Sequence, residues 1–116
     1  MQNAAQVLVG LIAVEHVWIL VLEMFLWTRP FGQRTFGQTR EQAEQSAVLA
    51  ANQGLYNGFL AAGLVWGLLA SGRTVETFFL ACVLVAGVFG GLTAKRSILY
   101  VQGLPAAIAL VLVWWR

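Results

Sequence analysis

The chain has 116 residues, of which 59% are hydrophobic and only 10% are charged, and its net charge is +2. A soluble domain usually carries about 25% charged residues, so this composition argues against a soluble enzyme and against a disordered chain. The Lys and Arg residues form no cluster, which excludes a nucleic-acid-binding surface, because such a surface must neutralise several phosphates. We therefore predict an all-α membrane protein.

Four long apolar runs are predicted to be helices that cross the membrane, because each is close to the roughly 20 residues that a span requires. They cover residues 4–27, 46–70, 77–94 and 97–115 of one transmembrane domain, 1–116. Short connections after the second and third spans make neighbouring helices antiparallel. The predicted fold is an antiparallel bundle of four transmembrane helices with a longer cytoplasmic loop at residues 28–45.

The basic residues predict how the chain is oriented in the membrane. Loops one and three carry five of them and the opposite side carries two, and the side richer in Lys and Arg usually faces the cytoplasm. We expect a multi-pass protein of the inner (plasma) membrane with both termini outside the cytoplasm. The two groups are Arg29, Arg34, Arg40, Lys95 and Arg96, and on the other side Arg73 and Arg116.

The first span contains Glu15, His16 and Glu23. A charge at the centre of a membrane helix costs roughly 2.5–3.5 kcal/mol, so these side chains are candidates for function. At about 100° per residue, Glu23 lies about 80° and His16 about 100° from Glu15, and all three share one face. Trp27, at about 120°, is expected to continue that face, whereas Glu76 is expected to complement the dipole at the start of the third span.

Polar residues of the second and fourth spans reach similar depths. Asn52, Gln53, Tyr56 and Asn57 share one side of the second span, and Gln102 precedes Pro105, which should kink the fourth. We predict that they converge with Glu15, His16 and Glu23 on one polar pocket in the cytoplasmic half. The alternative is that the amides only join helices, as they often do in membranes. Three glycine pairs, 54/58, 63/67 and 87/91, predict close packing of helices.

Three segments carry a resemblance to a known family: VEHVWILVLEMFLW, AANQGLYNGFLAAGLVWG and YVQGLPA. They resemble the small four-helix integral membrane proteins grouped as domain-of-unknown-function 1304, and the likeness covers essentially the whole chain. The resemblance implies a bacterial-type four-helix membrane protein. It implies no settled activity and no catalytic residues.

The polar pocket favours an enzyme of the isomerase or cyclase type that acts on a lipophilic, isoprenoid-like substrate. Glu15, His16 and Glu23 would exchange protons with the substrate, because a carboxyl group in the membrane can act as a general acid. The substrate would meet the aromatic faces of Trp18, Trp27 and Tyr56. Its polar groups would be oriented by the amides, Asn52, Gln53, Asn57 and Gln102.

Two other functions stay open. Glu15 in the first span resembles the membrane glutamate of small multidrug resistance transporters, which makes a proton-coupled exporter the main alternative, and a structural membrane subunit is the second. Membrane lipid and a lipophilic small molecule are the expected partners, with homo-oligomerisation undecided and no nucleic acid. No cofactor or metal is expected, because the chain has one histidine and one cysteine and Glu15 and His16 diverge on the helix.

Overall fold

The computed structural model describes residues 2–115, which form helices joined by short turns, with no strand among them. Within these residues the α-helices are α1 (Gln2–Met24), α2 (Pro30–Phe36), α3 (Arg40–Trp66), α4 (Arg73–Thr93), α5 (Arg96–Ile98) and α6 (Leu104–Trp114). Two π-helical segments, Gly67–Ser71 and Leu99–Gly103, continue α3 and join α5 to α6. The all-helical prediction is confirmed. Arg116, one of the two basic residues on the side predicted to lie outside the cytoplasm, is outside the described residues.

In the part of the chain that the structure describes, three helical stretches are long and apolar enough to cross a membrane: Asn3–Met24, Arg73–Thr93 and Arg96–Trp114. They correspond to the first, third and fourth predicted spans. Helix α3 is longer than any of them but is not one of the three, because Asn52, Gln53 and Asn57 lower its mean hydropathy. The four-helix antiparallel bundle therefore stays a prediction.

The predicted loop at residues 28–45 is largely helical. Pro30 occupies the first turn of α2, where its missing N–H costs nothing, and Gly37 ends that helix with a φ of 64°. Thr39 and Gln42 then form a reciprocal capping box, Gln42 N–H to Thr39 Oγ1 at 3.1 Å and Thr39 N–H to Gln42 Oε1 at 3.0 Å. Because this cap starts α3 at Arg40, the predicted helix start at residue 46 is too late.

Pro105 acts on the helix that precedes it. The backbone from Leu99 to Gly103 is π-helical, and the N–H of Leu104 bonds to the carbonyl of Leu99, five residues back. A proline cannot donate a backbone hydrogen bond within the helix, so the register changes one turn before it. The expected kink therefore takes the form of a π-helical turn that contains Gln102.

The contacts within the chain define two compact units. Unit 1 combines the chain up to Ala13 with the chain from Leu60 onward, and unit 2 is Val14–Phe59. The boundaries fall inside α1 and α3. The core of unit 1 is made mainly of small and branched aliphatic side chains: Ala5, Val9, Ile12, Ala13, Leu64, Leu80, Val83, Ala106, Ala109 and Val113.

Glycines allow the closest helix contacts inside unit 1. A Cβ atom on Gly87 would lie 2.7 Å from the Cα of Gly103, and one on Gly91 would lie 2.7 Å from the Cβ of Leu99. These distances are too short for real side chains, so α4 reaches the π-helical segment only because both positions lack a Cβ. Gly87 and Gly91 therefore serve packing within one chain, as small residues commonly do in membrane helices.

The two glycines of the Gly87–Gly103 contact should respond differently to alanine. A Cβ on Gly103 would come no closer than 3.7 Å to any neighbour, which is ordinary contact. We expect Gly87→Ala to lower the unfolding free energy by about 1–3 kcal/mol through overpacking, and Gly103→Ala to change it by much less. Thermal unfolding in detergent, followed by circular dichroism, measures both, and equal shifts would contradict this packing.

Candidate functional site

Glu15 and His16 lie near the middle of α1, within unit 2. The His16 side chain is fully buried, and its Nδ1 lies 3.9 Å from Glu15 Oε1. That distance is longer than a hydrogen bond, so the two groups are close to each other but are not hydrogen-bonded to each other. Glu15 Oε1 is itself buried and accepts no hydrogen bond in the part of the chain that the structure describes, although 26% of the side chain remains exposed.

Glu23 is held by an amide of α3. The Nδ2 group of Asn57 donates a hydrogen bond of 2.7 Å to Glu23 Oε1 and another of 3.1 Å to the carbonyl of Gln53. An amide that satisfies a partly buried carboxyl group stabilises its position, because an unsatisfied one would carry the full cost of desolvation. Glu23 therefore differs from Glu15, whose Oε1 receives no such donor.

Small residues of α3 allow this hydrogen bond. A Cβ on Gly54 would lie 2.6 Å from Met24 Cγ and 3.2 Å from Glu23 Cβ, and one on Gly58 would lie 2.7 Å from Leu20 Cδ1. Within unit 2, α1 and α3 thus pack along the predicted glycine pair at positions 54 and 58. The other buried residues of this α3 face, Ala43 and Ala50, are also small.

The remaining polar residues of α3 are exposed rather than enclosed with Glu23. Asn52 donates from Nδ2 to the carbonyl of Val48, one turn back in its own helix, at 3.0 Å. Gln53 is exposed, as is 60% of Tyr56, whose ring lies 6.0 Å from that of Phe59. Asn57 is thus the residue of this set that reaches Glu23, because it borders the buried face of small residues.

The two tryptophans assigned to the substrate have different surroundings. Trp18 lies on α1 with 48% of its surface exposed, and its ring meets the edge of Phe31 at 6.1 Å. Trp27 lies in the turn after α1, where its Nε1 donates to Ser46 Oγ at 3.1 Å and its ring lies 4.7 Å from Phe36. The predicted helical angle of Trp27 is therefore wrong, because α1 ends at Met24.

The two remaining residues that the sequence singled out, Gln102 and Glu76, lie in unit 1. Gln102 is half-buried in the π-helical segment of unit 1, and its part in the pocket stays a prediction. Glu76 lies in the first turn of α4 as expected, but it is buried and lines a cavity that the sequence did not indicate. Among the described residues, no three His, Cys, Asp or Glu side chains gather closely enough to hold a metal ion.

A double-mutant cycle tests the hydrogen bond between Glu23 and Asn57. We expect Glu23→Leu and Asn57→Leu to be coupled by about 0.6 kcal/mol and by no more than about 1.7 kcal/mol, the mean and the maximum for hydrogen bonds between membrane helices. The coupling arises because either single change leaves a half-buried polar group without its partner. Unfolding of the two single variants and the double variant in detergent measures it, and strictly additive effects would contradict the contact.

The chain is similar to known proteins over most of its length. Residues 10–114 match the family model described as "Protein of unknown function (DUF1304)". The uncharacterised protein YpaA of Lactococcus lactis subsp. lactis (strain IL1403) is 32% identical over 105 residues, which covers 87% of this chain and 88% of that protein. No solved structure matches the chain significantly. The resemblance carried by the three quoted segments is confirmed, and the chain belongs to the DUF1304 family.

Proposed function

We propose that the protein is a membrane enzyme of the isomerase or cyclase type that moves protons on a lipophilic, isoprenoid-like substrate. The observation that carries the proposal is the pairing of a buried imidazole with a carboxyl group inside an apolar helix, His16 Nδ1 at 3.9 Å from Glu15 Oε1. Ionisable groups are expensive in such a helix and usually mark function. His and Glu are among the side chains that most often carry out general acid–base catalysis.

Glu15 and Glu23 are suited to different roles. The exposed 26% of the Glu15 side chain leaves this carboxyl group open to a substrate, and its buried Oε1 is close enough to His16 to exchange a proton with the imidazole after a small movement. Glu23 is fixed by Asn57 and would face developing positive charge from a constant position. Two carboxyl groups in different surroundings commonly divide the work of acid and base.

The proposed reaction balances without a cofactor. One proton is added to one carbon of the substrate double bond, a carbocation forms at the other carbon, and a proton is lost from a third carbon next to that cation, so the double bond moves and no electrons are gained or lost. The exposed ring of Trp18 would contact the hydrocarbon part of the substrate. The exposed amides of Asn52 and Gln53, with Tyr56, would contact its polar part or a second copy of the chain.

We also propose that α3 is the fourth membrane crossing, which gives an antiparallel bundle of four helices. Its 27 residues correspond to about 40 Å of helix, more than the hydrocarbon thickness of a bilayer. Asn52 and Asn57 bond to carbonyls of their own helix, as polar groups in lipid must be satisfied within the protein. The excess of Lys and Arg in loops one and three supports an orientation in the inner membrane in which these loops face the cytoplasm and both termini lie outside it.

Deuterium incorporation tests the proposed chemistry across a whole mixture of candidate substrates at once. Membranes that contain the full chain are incubated in D₂O with the total isoprenoid lipid extract of the host, and the lipids are analysed by mass spectrometry. We expect protein-dependent deuterium in one lipid class. Glu15→Gln and His16→Asn should reduce its rate by about 10²-fold or more, since each removes a group that transfers protons.

Glu41→Gln provides the matched control, because it makes the same chemical change at an exposed residue in the first turn of α3. It should leave the rate unchanged. If Glu15→Gln and Glu23→Gln both leave the deuterium content and the lipid profile unaltered, the acidic residues are structural. Proton release on addition of tetraphenylphosphonium, lost in Glu15→Gln, would instead identify the exporter.

A further inference from the structure

A cavity of about 390 Å³ lies within unit 1, where the π-helical turn after α3 meets the start of α4. Its size falls in the range of small-molecule sites. Leu68, Leu69 and Leu112 supply apolar surface, and Gln6, Arg73 and Glu76 supply polar groups. It contains none of the residues assigned to the proposed reaction, so an inference from it is independent of that function.

The carboxyl group of Glu76 is the unusual feature of this cavity. Only 8% of the residue is exposed, and its side chain makes no hydrogen bond or ion pair with any other described residue. Gly67 provides the space for it, since a Cβ at that position would lie 2.7 Å from Glu76 Cγ. Its carboxyl oxygens are not among the fully buried atoms that lack a partner, so they open to the cavity, where an ammonium group of a ligand can donate to them.

Arg73 brings the opposite charge to the same cavity. It lies three residues before Glu76 in the first turn of α4, a spacing that puts both on one side of a helix. The Arg73 guanidinium lies 4.6 Å from the centre of the Trp114 ring, and Trp114 Nε1 donates to Thr77 Oγ1 at 2.6 Å. Arg73 is thus held by the indole and, within the described residues, forms no ion pair with Glu76.

We propose that this cavity binds a zwitterionic ammonium–phosphate group, with the ammonium on Glu76 and the phosphate on Arg73. A simple cation would be opposed by Arg73, and a simple anion would be opposed by Glu76, whereas a zwitterion satisfies both. Trp114 and Trp115 stand at the end of the last apolar stretch, where tryptophan usually marks the headgroup level of a bilayer. The headgroup of a phospholipid such as phosphatidylethanolamine has this chemistry at this depth.

Native mass spectrometry of the full chain in detergent tests the proposal. Dihexanoyl-phosphatidylethanolamine should bind more tightly than dihexanoyl-phosphatidylglycerol, which lacks the ammonium group. Glu76→Gln should weaken the binding of dihexanoyl-phosphatidylethanolamine by about tenfold or more, because it removes a charge-assisted hydrogen bond. Glu41→Gln, on an exposed carboxylate of unit 2, should leave both affinities unchanged.

Free phosphoethanolamine distinguishes the two sources of the zwitterion. If phosphoethanolamine displaces the bound lipid at the lipid's own concentration, the site binds a soluble zwitterion. If only another phosphatidylethanolamine displaces it, the site binds a lipid headgroup. Either result supports the proposal. Ala70→Trp fills the exposed wall of the cavity without altering Glu76 and should abolish binding, so a folding defect of Glu76→Gln cannot hide the answer. Equal binding of the two lipids, or binding unaffected by both substitutions, would overturn it.

Discussion

A polar group that leaves water is stabilised when another group of the protein replaces the hydrogen bond that it loses. In unit 2 Asn57 meets this requirement for Glu23, because its amide bonds both that carboxyl group and its own helix. The bond requires α1 and α3 to approach closely, and Gly54 and Gly58 allow that approach because they have no side chain. The hydrogen bond between Asn57 and Glu23 therefore depends on the glycine spacing of α3.

The helical architecture could be predicted because hydrophobic runs of about 20 residues have few other interpretations. The ends of helices were harder, since they depend on local hydrogen bonds. Thr39 and Gln42 form a capping box that starts α3 at Arg40, a signal that is present in the sequence but that hydropathy alone does not detect. The turn after Met24, by contrast, takes Trp27 off the helix with no comparable sequence signal.

The candidate site was predictable in its ionisable residues and less so in its geometry. Glu15, His16 and Glu23 are conspicuous because charged groups are rare in apolar helices. Which side of α3 faces α1 depends on the small residues Ala50 and Gly54, so Asn57 reaches Glu23 while Asn52 and Tyr56 remain exposed. The cavity at Glu76 depends on residues far apart in the sequence, from Gln6 to Trp115, and no local pattern indicates it.

The central proposal is that the side of α1 that carries Glu15 and Trp18, three residues apart, receives a specific lipophilic molecule. Photocrosslinking tests it most directly, with p-benzoylphenylalanine in place of Trp18, which is 48% exposed in unit 2, or of Val85, which is 68% exposed on α4. The account predicts a discrete lipophilic adduct at position 18 that is missing at position 85. The same mixture of bulk phospholipids at both positions would contradict it.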